Sequence, residues 1–214
     1  MQTDEEMENI QKFGSIPNFE NLTFSVSEKE QPRILIATPA YNGDVTSKYT
    51  ECLIMTCNLL GMNRIEFQVK FLNNQIVTRA RNMLAHIFMT GNFTHMLFID
   101  ADISWNPHDV INLLSHDEEC VIGVYPNKAY HFDSSKKNIS LTPSSKILLP
   151  IETKGEYLQR IKHAATGFML LKKAALKRIE KDIDQFYLPN NGQHATSRED
   201  MSLVYNYFNC QVAD

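Results

Sequence analysis

HMLFIDADISW, residues 95–105, carries apolar residues from Met96 to Ile99 straight into two acids separated by one alanine, and then into the chain's only tryptophan. Such a run reads as a strand buried in a core, where an ionised carboxylate costs several kcal/mol unless something pairs it. Asp100 and Asp102 therefore need a partner. Downstream, NPHDVINLLS (106–115) opens a helix with Asn106 as N-cap and Pro107 at the first position.

The same alternation extends in both directions. RILIAT (33–38) is a short β-branched run stopped by Pro39, as expected of a strand buried on both faces. KYTECLIMTCNLLGM (48–62) reads as a helix closed by Gly61, and IEFQVKFL (65–72) as a strand of alternating polarity. In IVTRARNMLAHIFMTG (76–91), Ile76, Val77, Ala80, Met83, Leu84, Ile87 and Phe88 recur at helical spacing. CVIGVY (120–125) is a fourth buried strand. Strand and helix thus alternate from Arg33 onward, which predicts an α/β fold with a central, mainly parallel sheet flanked by helices.

After Pro126 the pattern changes. Residues 126–145 read as a polar loop, and KILLPIE (146–152) and EYLQRIKHA (156–164) as arms of a hairpin around Lys154 and Gly155. GFMLLK (167–172) is a strand and KAALKRIEK (173–181) a helix. A loop over 188–196 leads to a helix expected from Glu199 to Phe208, and CQVAD (210–214) to a final strand. Residues 1–31 mix charge and polarity without period and read as an arm outside the fold. Residues 32–214 read as one domain.

Composition excludes several classes. The chain has 214 residues, 43% hydrophobic and 21% charged, with a net charge of −4 and no basic block, so the phosphate-neutralising stripe of a duplex-binding protein is missing. Four cysteines, Cys52, Cys57, Cys120 and Cys210, show neither a C-x-x-C pair nor zinc spacing and are expected to be reduced core residues. The polar, acidic start is unlike a signal peptide, and no apolar run has the length of a membrane span, so the expected location is the cytoplasm.

Two acids spaced by one residue in extended chain point the same way. At a few ångströms they repel by about 1 kcal/mol in water and more near protein, so a cation between them is the natural relief. Hard oxygen donors suit Mg²⁺ or Mn²⁺, and such an ion keeps positions open for substrate phosphates. In open α/β sheets ligands bind beyond the carboxyl ends of strands, which is where Asp100 is expected. A strand-end Asp also serves as a turn former or N-cap, although Asn106 already caps the next helix.

Four stretches carry a family resemblance: ATPAYNG (37–43), TRARNMLAHIF (78–88) with FIDADISW (98–105), HAATGFMLL (163–171) and TSRED (196–200). Together they resemble the GT-A glycosyltransferases, nucleotide-sugar enzymes with one Rossmann-like domain, and among them the small enzymes encoded by large DNA viruses of algae. The resemblance spans residues 33–214. It implies a nucleotide-binding half over 32–125 and an acceptor half over 126–214.

The resemblance also implies roles. Thr38, Pro39, Ala40 and Tyr41 would hold the nucleotide, with Tyr41 stacking on the base and Thr38 bonding its edge. Arg79 and Asn82, with Arg81 in reserve, would approach the diphosphate. Asp100 and Asp102 would hold Mn²⁺ (or Mg²⁺) bridging the diphosphate, with Asp100 and Ala101 also against the nucleotide. Thr166 and Gly167, joined by Tyr125 and Lys128, would face the sugar and acceptor. Asp200, or Glu199, at a helix start would be the base that takes the acceptor's proton.

Many members supply a histidine to the metal beyond the final strand. Here either carboxylate, phosphate and water suffice, with His194 and Asp214 as substitutes, or the chain is one domain of a longer protein. The implied partners are a nucleotide diphosphate sugar, by family habit a UDP-sugar, and a glycan hydroxyl. If the chain is viral, the location is the host cytoplasm. Two alternatives are a nucleotide-sugar-binding module without turnover and a haloacid-dehalogenase-like phosphatase. The latter normally places its Asp-x-Asp on the first strand, followed by Thr or Val, whereas here the pair follows the third strand and precedes Ile103.

Overall fold

The computed structural model describes residues 31–73, 75–133, 138–143, 146–147, 153–154, 158–189, 197, 199 and 201–208. In chain order the elements are β1 (Arg33–Pro39), α1 (Ser47–Met62), β2 (Glu66–Leu72), α2 (Val77–Thr90), β3 (His95–Ile99), α3 (Pro107–Ser115), β4 (Cys120–Ile122), β5 (Pro126–Asp133), β6 (Asn138–Pro143), β7 (Lys146–Ile147), β8 (Thr153–Lys154), β9 (Leu158–Gln159), β10 (Ile161–His163), β11 (Phe168–Lys172), α4 (Lys173–Ile179), a 3-10 turn (Glu180–Asp182), β12 (Gln185–Pro189) and β13 (Met201–Tyr205). Five strands form the central sheet in the order β2-β1-β3-β11-β4. The first three are parallel, and β11 runs antiparallel to both β3 and β4. The result is a mixed α/β fold of Rossmann-like layout.

Each inner strand is apolar on both faces because each face meets its own helix layer. Ile34, Ile36, Leu97, Ile99, Phe168 and Leu170 pack with α1 and α3 residues such as Leu59, Leu60, Val110 and Leu114. Their alternates Leu35, Ala37, Met96, Phe98, Met169 and Leu171 pack with Leu84, Ala85, Phe88 and Leu176 of α2 and α4. The period of two sorts side chains to opposite faces, so an unbroken apolar run is what this sheet requires. β2 lies at one edge, where Phe67 and Phe71 remain 37% and 42% exposed.

The core also holds the polar residues Thr38, Thr56 and Asn82, each hydrogen-bonded. Thr38 is fully buried with its hydroxyl on that of Tyr49. The Tyr49 ring meets Trp105 edge-on at 5.1 Å between centroids, and Trp105 Nε1 donates to Thr56 Oγ1 at 2.8 Å. Burial pushes the Tyr49 phenol up to about 12. Asn106 caps α3 as expected, with its side chain accepting the His108 N–H and Asp109 closing the reciprocal bond.

Several expectations are corrected. Residues expected as a polar loop contain the hairpin β5–β6. Tyr130 and Phe132 alternate with His131, and Ile139 and Leu141 with Ser140, a strand period that the surrounding charges disguise. The helix expected over 199–208 is instead strand β13, antiparallel to β12. Its Leu203 is 44% exposed while Val204 is fully buried against Met83 and Leu188, again a period of two. The strand expected over 120–125 is only three residues long, Cys120–Ile122, paired with β11, and its last ladder bond runs from the Gly123 N–H to the Phe168 carbonyl (3.0 Å). Cys52 and Cys57 are half-buried and Cys120 is exposed, rather than core residues. The hairpin expected around Lys154 is present as β8–β9 and β7–β10. Residues 1–30 of the arm expected over 1–31, Cys210 and the strand expected at 210–214 lie outside the described residues, and no described helix is long and apolar enough to cross a membrane.

Asn82, expected to approach a diphosphate, is instead buried in α2. Its Nδ2 donates to Asn206 Oδ1 (3.0 Å) and the Phe208 carbonyl (3.3 Å), and its Oδ1 accepts the Phe208 N–H (2.8 Å). It fastens the segment after β13 to the helix. Asn82→Ala leaves these groups unpaired and is expected to lower the unfolding free energy by about 1–3 kcal/mol in urea denaturation. At the start of β3, burial lowers the His95 imidazole to about 4, with the Lys172 charge adding to the effect. A neutral buried histidine stabilises fully above its unfolded pKa, roughly 6.5, and that contribution is lost as pH falls toward 4. His95→Gln is therefore expected to flatten the acid limb of stability against pH by one proton between those values.

Candidate functional site

Asp100 leaves β3 at its C-terminal end. Its N–H donates to the Gly167 carbonyl (2.9 Å), and its own carbonyl accepts the Ile103 N–H (3.1 Å), closing a β-turn over 100–103. The acids are therefore not two residues apart in extended chain, as expected from the sequence. The strand ends at Ile99, and the turn places Asp100 half-buried at its first position and Asp102 exposed at its third.

The turn is tied to the loop after β1. Thr46 N–H donates to the Ala101 carbonyl (3.1 Å), while Thr46 Oγ1 accepts the Tyr49 N–H and caps α1. Within that loop, Ala40 N–H bonds the Leu72 carbonyl (2.8 Å), and Gly43 N–H bonds the Ala40 carbonyl (2.9 Å). Gly43 sits at φ +81°, a left-handed conformation that favours glycine. Pro39 is half-buried, Ala40 is buried, and Tyr41 is 68% exposed at the loop surface. Thr38 is turned into the core on Tyr49, so its side chain does not face this loop.

Asp100 has a cationic partner. Arg81 Nη2 lies 2.6 Å from Asp100 Oδ1, with the two side chains 12% and 30% exposed. Arg81 Nε is buried and has no hydrogen-bond partner among the described residues. Arg79, the arginine favoured from the sequence, is exposed and lines a small hollow with Leu72, Met83 and Leu188, away from this pair. The signal for Arg81 was the ridge it shares with Leu84, Ala85 and Phe88, three, four and seven residues on, which directs it toward the sheet.

Tyr125 completes the group. Its hydroxyl accepts the Gly167 N–H at 3.1 Å, so Asp100, Gly167 and Tyr125 form one chain of hydrogen bonds. Burial holds the Tyr125 phenol above its ordinary range, and the negative charges of Asp100 and Asp102 push the same way. A Cβ at Gly167 would collide with Tyr125 Oη and lie 2.7 Å from Ile103 Cδ1. At Gly123 a Cβ would strike the Phe168 ring. Beside the turn, a cleft of about 300 Å³ opens between the residues after Asp102, helix α3 and the 123–125 segment.

Among the remaining predicted residues, Thr166 is half-buried next to Gly167 and Lys128 lies on β5. Glu199 is exposed in a 3-10 turn just before β13, which replaces the longer helix expected over 199–208. Asp200, His194 and Asp214 lie outside the described residues. Two carboxylates are hard donors of the kind Mg²⁺ and Mn²⁺ prefer. Among the described residues no group of three or more His, Cys, Asp and Glu is placed to hold a metal ion.

No protein-family model matches the chain, and no curated protein does. Among solved structures, A197 from STIV is similar over 70% of this chain and 69% of its own, at 18% identity and a TM-score of 0.40.

Gly167→Ala is expected to push Tyr125 out of the hydrogen-bond chain and to destabilise the fold by about 1–3 kcal/mol in chemical denaturation.

Proposed function

We propose that the chain is a metal-dependent GT-A glycosyltransferase that moves a sugar from a nucleotide diphosphate sugar, by family habit a UDP-sugar, to a glycan hydroxyl. The observation that carries the reading is the grouping of Asp100, Asp102 and Arg81 at the carboxyl end of the central strand, against the loop after β1. Ligands of open α/β sheets gather at that edge. The sequence resemblance supplies the class of reaction, and the geometry supports it by bringing the acid turn and the expected nucleotide loop to one bond of each other through Thr46 and Ala101.

Asp100 and Asp102 would hold Mn²⁺ or Mg²⁺, which when bound neutralises charge on the departing diphosphate. Arg81 holds Asp100 in place and carries a buried Nε–H with no described acceptor, a donor suited to a phosphate oxygen. Tyr41, exposed on the loop, offers a face for the base. Tyr125 and Gly167 line the far side of the turn, where the missing side chain leaves room for the Tyr125 hydroxyl and Ile103. Asp200 or Glu199 would take the proton of the acceptor hydroxyl.

A second reading is favoured by one observation. The α-helix expected from Glu199 to Phe208, whose start was to carry the base, is replaced by strand β13 over Met201–Tyr205, and a nucleotide-sugar-binding module without turnover needs only the acids and Arg81. Isothermal titration of UDP with Mn²⁺ tests the shared part. Asp100→Asn and Asp102→Asn are each expected to weaken manganese-dependent UDP affinity by about tenfold or more, about 1.4 kcal/mol. Unchanged affinity in both variants, or no UDP binding by the wild type, overturns the assignment. Slow donor hydrolysis that Asp200→Asn or Glu199→Gln abolishes, with UDP affinity kept, identifies a transferase. Binding without hydrolysis identifies the module.

A further inference from the structure

The cleft beside the acid turn differs in chemistry from the turn itself. Phe168, 5% exposed, forms its floor, and half-buried Tyr125 and Val124, 62% exposed, stand at its side. Helix α3 presents Asp109 and Asn112 across it, three residues apart on one face, and Ser104 closes the near end. Asp109 Oδ2 accepts the Asn106 N–H at 3.3 Å in the helix cap, which leaves its other oxygen for a ligand. Among the described residues no Lys or Arg lines the cleft.

These features select one ligand chemistry. A volume of about 300 Å³ is at the small end of ligand pockets, roughly 300–1,000 Å³, and suits a single ring rather than a whole nucleotide. A carboxylate on one wall, with Asp102 close by and no cation among the described lining residues, disfavours phosphate. An apolar floor opposed by a carboxylate, an amide and a hydroxyl matches a neutral ring with C–H bonds on its face and hydroxyls around its edge. We infer that this cleft binds one neutral sugar ring, seated on Tyr125 and Phe168 with its hydroxyls on Asp109 and Asn112. The ring is the donor's sugar or the acceptor's terminal sugar, and that role alone rests on the transferase reading.

Two arms test the inference and separate these sources. Saturation-transfer NMR reads binding of the methyl glycosides of glucose, galactose, mannose, xylose and N-acetylglucosamine without nucleotide. Calorimetry compares UDP with UDP-glucose, UDP-galactose and UDP-N-acetylglucosamine in the presence of Mn²⁺. At least one glycoside is expected to bind, or one UDP-sugar to bind more tightly than UDP. Val124→Trp, which plugs the mouth from an exposed position, and Asn112→Ala are each expected to weaken that sugar-dependent signal by about fivefold or more and to leave UDP affinity unchanged. Should Val124→Trp fail to fold, by circular dichroism, Asn112→Ala decides. A sugar signal equal to wild type in the folded variants, or no sugar signal from any probe in the wild type, overturns the site. Failure of UDP to bind the wild type removes only the transferase reading, because the glycoside arm is read without nucleotide.

Discussion

A carboxylate at the end of a strand buried on both faces cannot be left to itself, and the surroundings of Asp100 are organised by that requirement. Its backbone is anchored on Gly167, its side chain on Arg81, and its turn on Thr46 of the neighbouring loop. Each contact comes from a different part of the chain, so the position of one acid fixes helix α2, the start of α1 and the entry to β11 together. The ion pair is partly buried, where opposite charges attract more strongly than in water while the desolvation cost stays below that of a deep interior.

Two missing side chains do as much as the charged ones. Gly167 lets Tyr125 and Ile103 close over the turn, and Gly123 lets the Phe168 ring fill the space beneath. The polar centre and the cleft beside it therefore share a wall of aromatic residues built around bare backbone. Trp105 and Tyr49 extend that wall into the core, where every buried hydroxyl and indole described above has a partner. The turn is backed by a packed interior rather than by solvent.

The central layer was legible in the sequence because apolar runs and helical stripes are direct consequences of burial. RILIAT, HMLFID and GFMLLK all lie where the pattern put them, and Asn106 caps its helix as its position before Pro107 implies. What was misread has physical causes. Residues 201–205 hold Leu, Val and Tyr close to charged neighbours, and the first-turn acids suggested a helix. Yet β-branched and aromatic side chains alternating in and out make a strand once Leu188 and Met83 are there to meet Val204. Thr38 and Asn82 looked like ligand-facing polar residues, but their partners, Tyr49 and the segment after β13, come from distant positions that one-dimensional spacing does not reveal. Arg81 was ranked behind Arg79 because exposure on a helix depends on its neighbours in space. The acids themselves were found correctly as a pair at a strand end, while the turn that spaces them was not.

The edge strand β2 has a consequence of a different kind. Its outer row of backbone groups has no neighbour among the described strands, and phenylalanines 67 and 71 stand partly uncovered on it, the makings of a template for fibrous growth. Glu66 and Lys70 alternate with those rings. A second copy stacked in register would set each charge against its twin, a repulsion that works only against self-assembly and costs the folded monomer nothing.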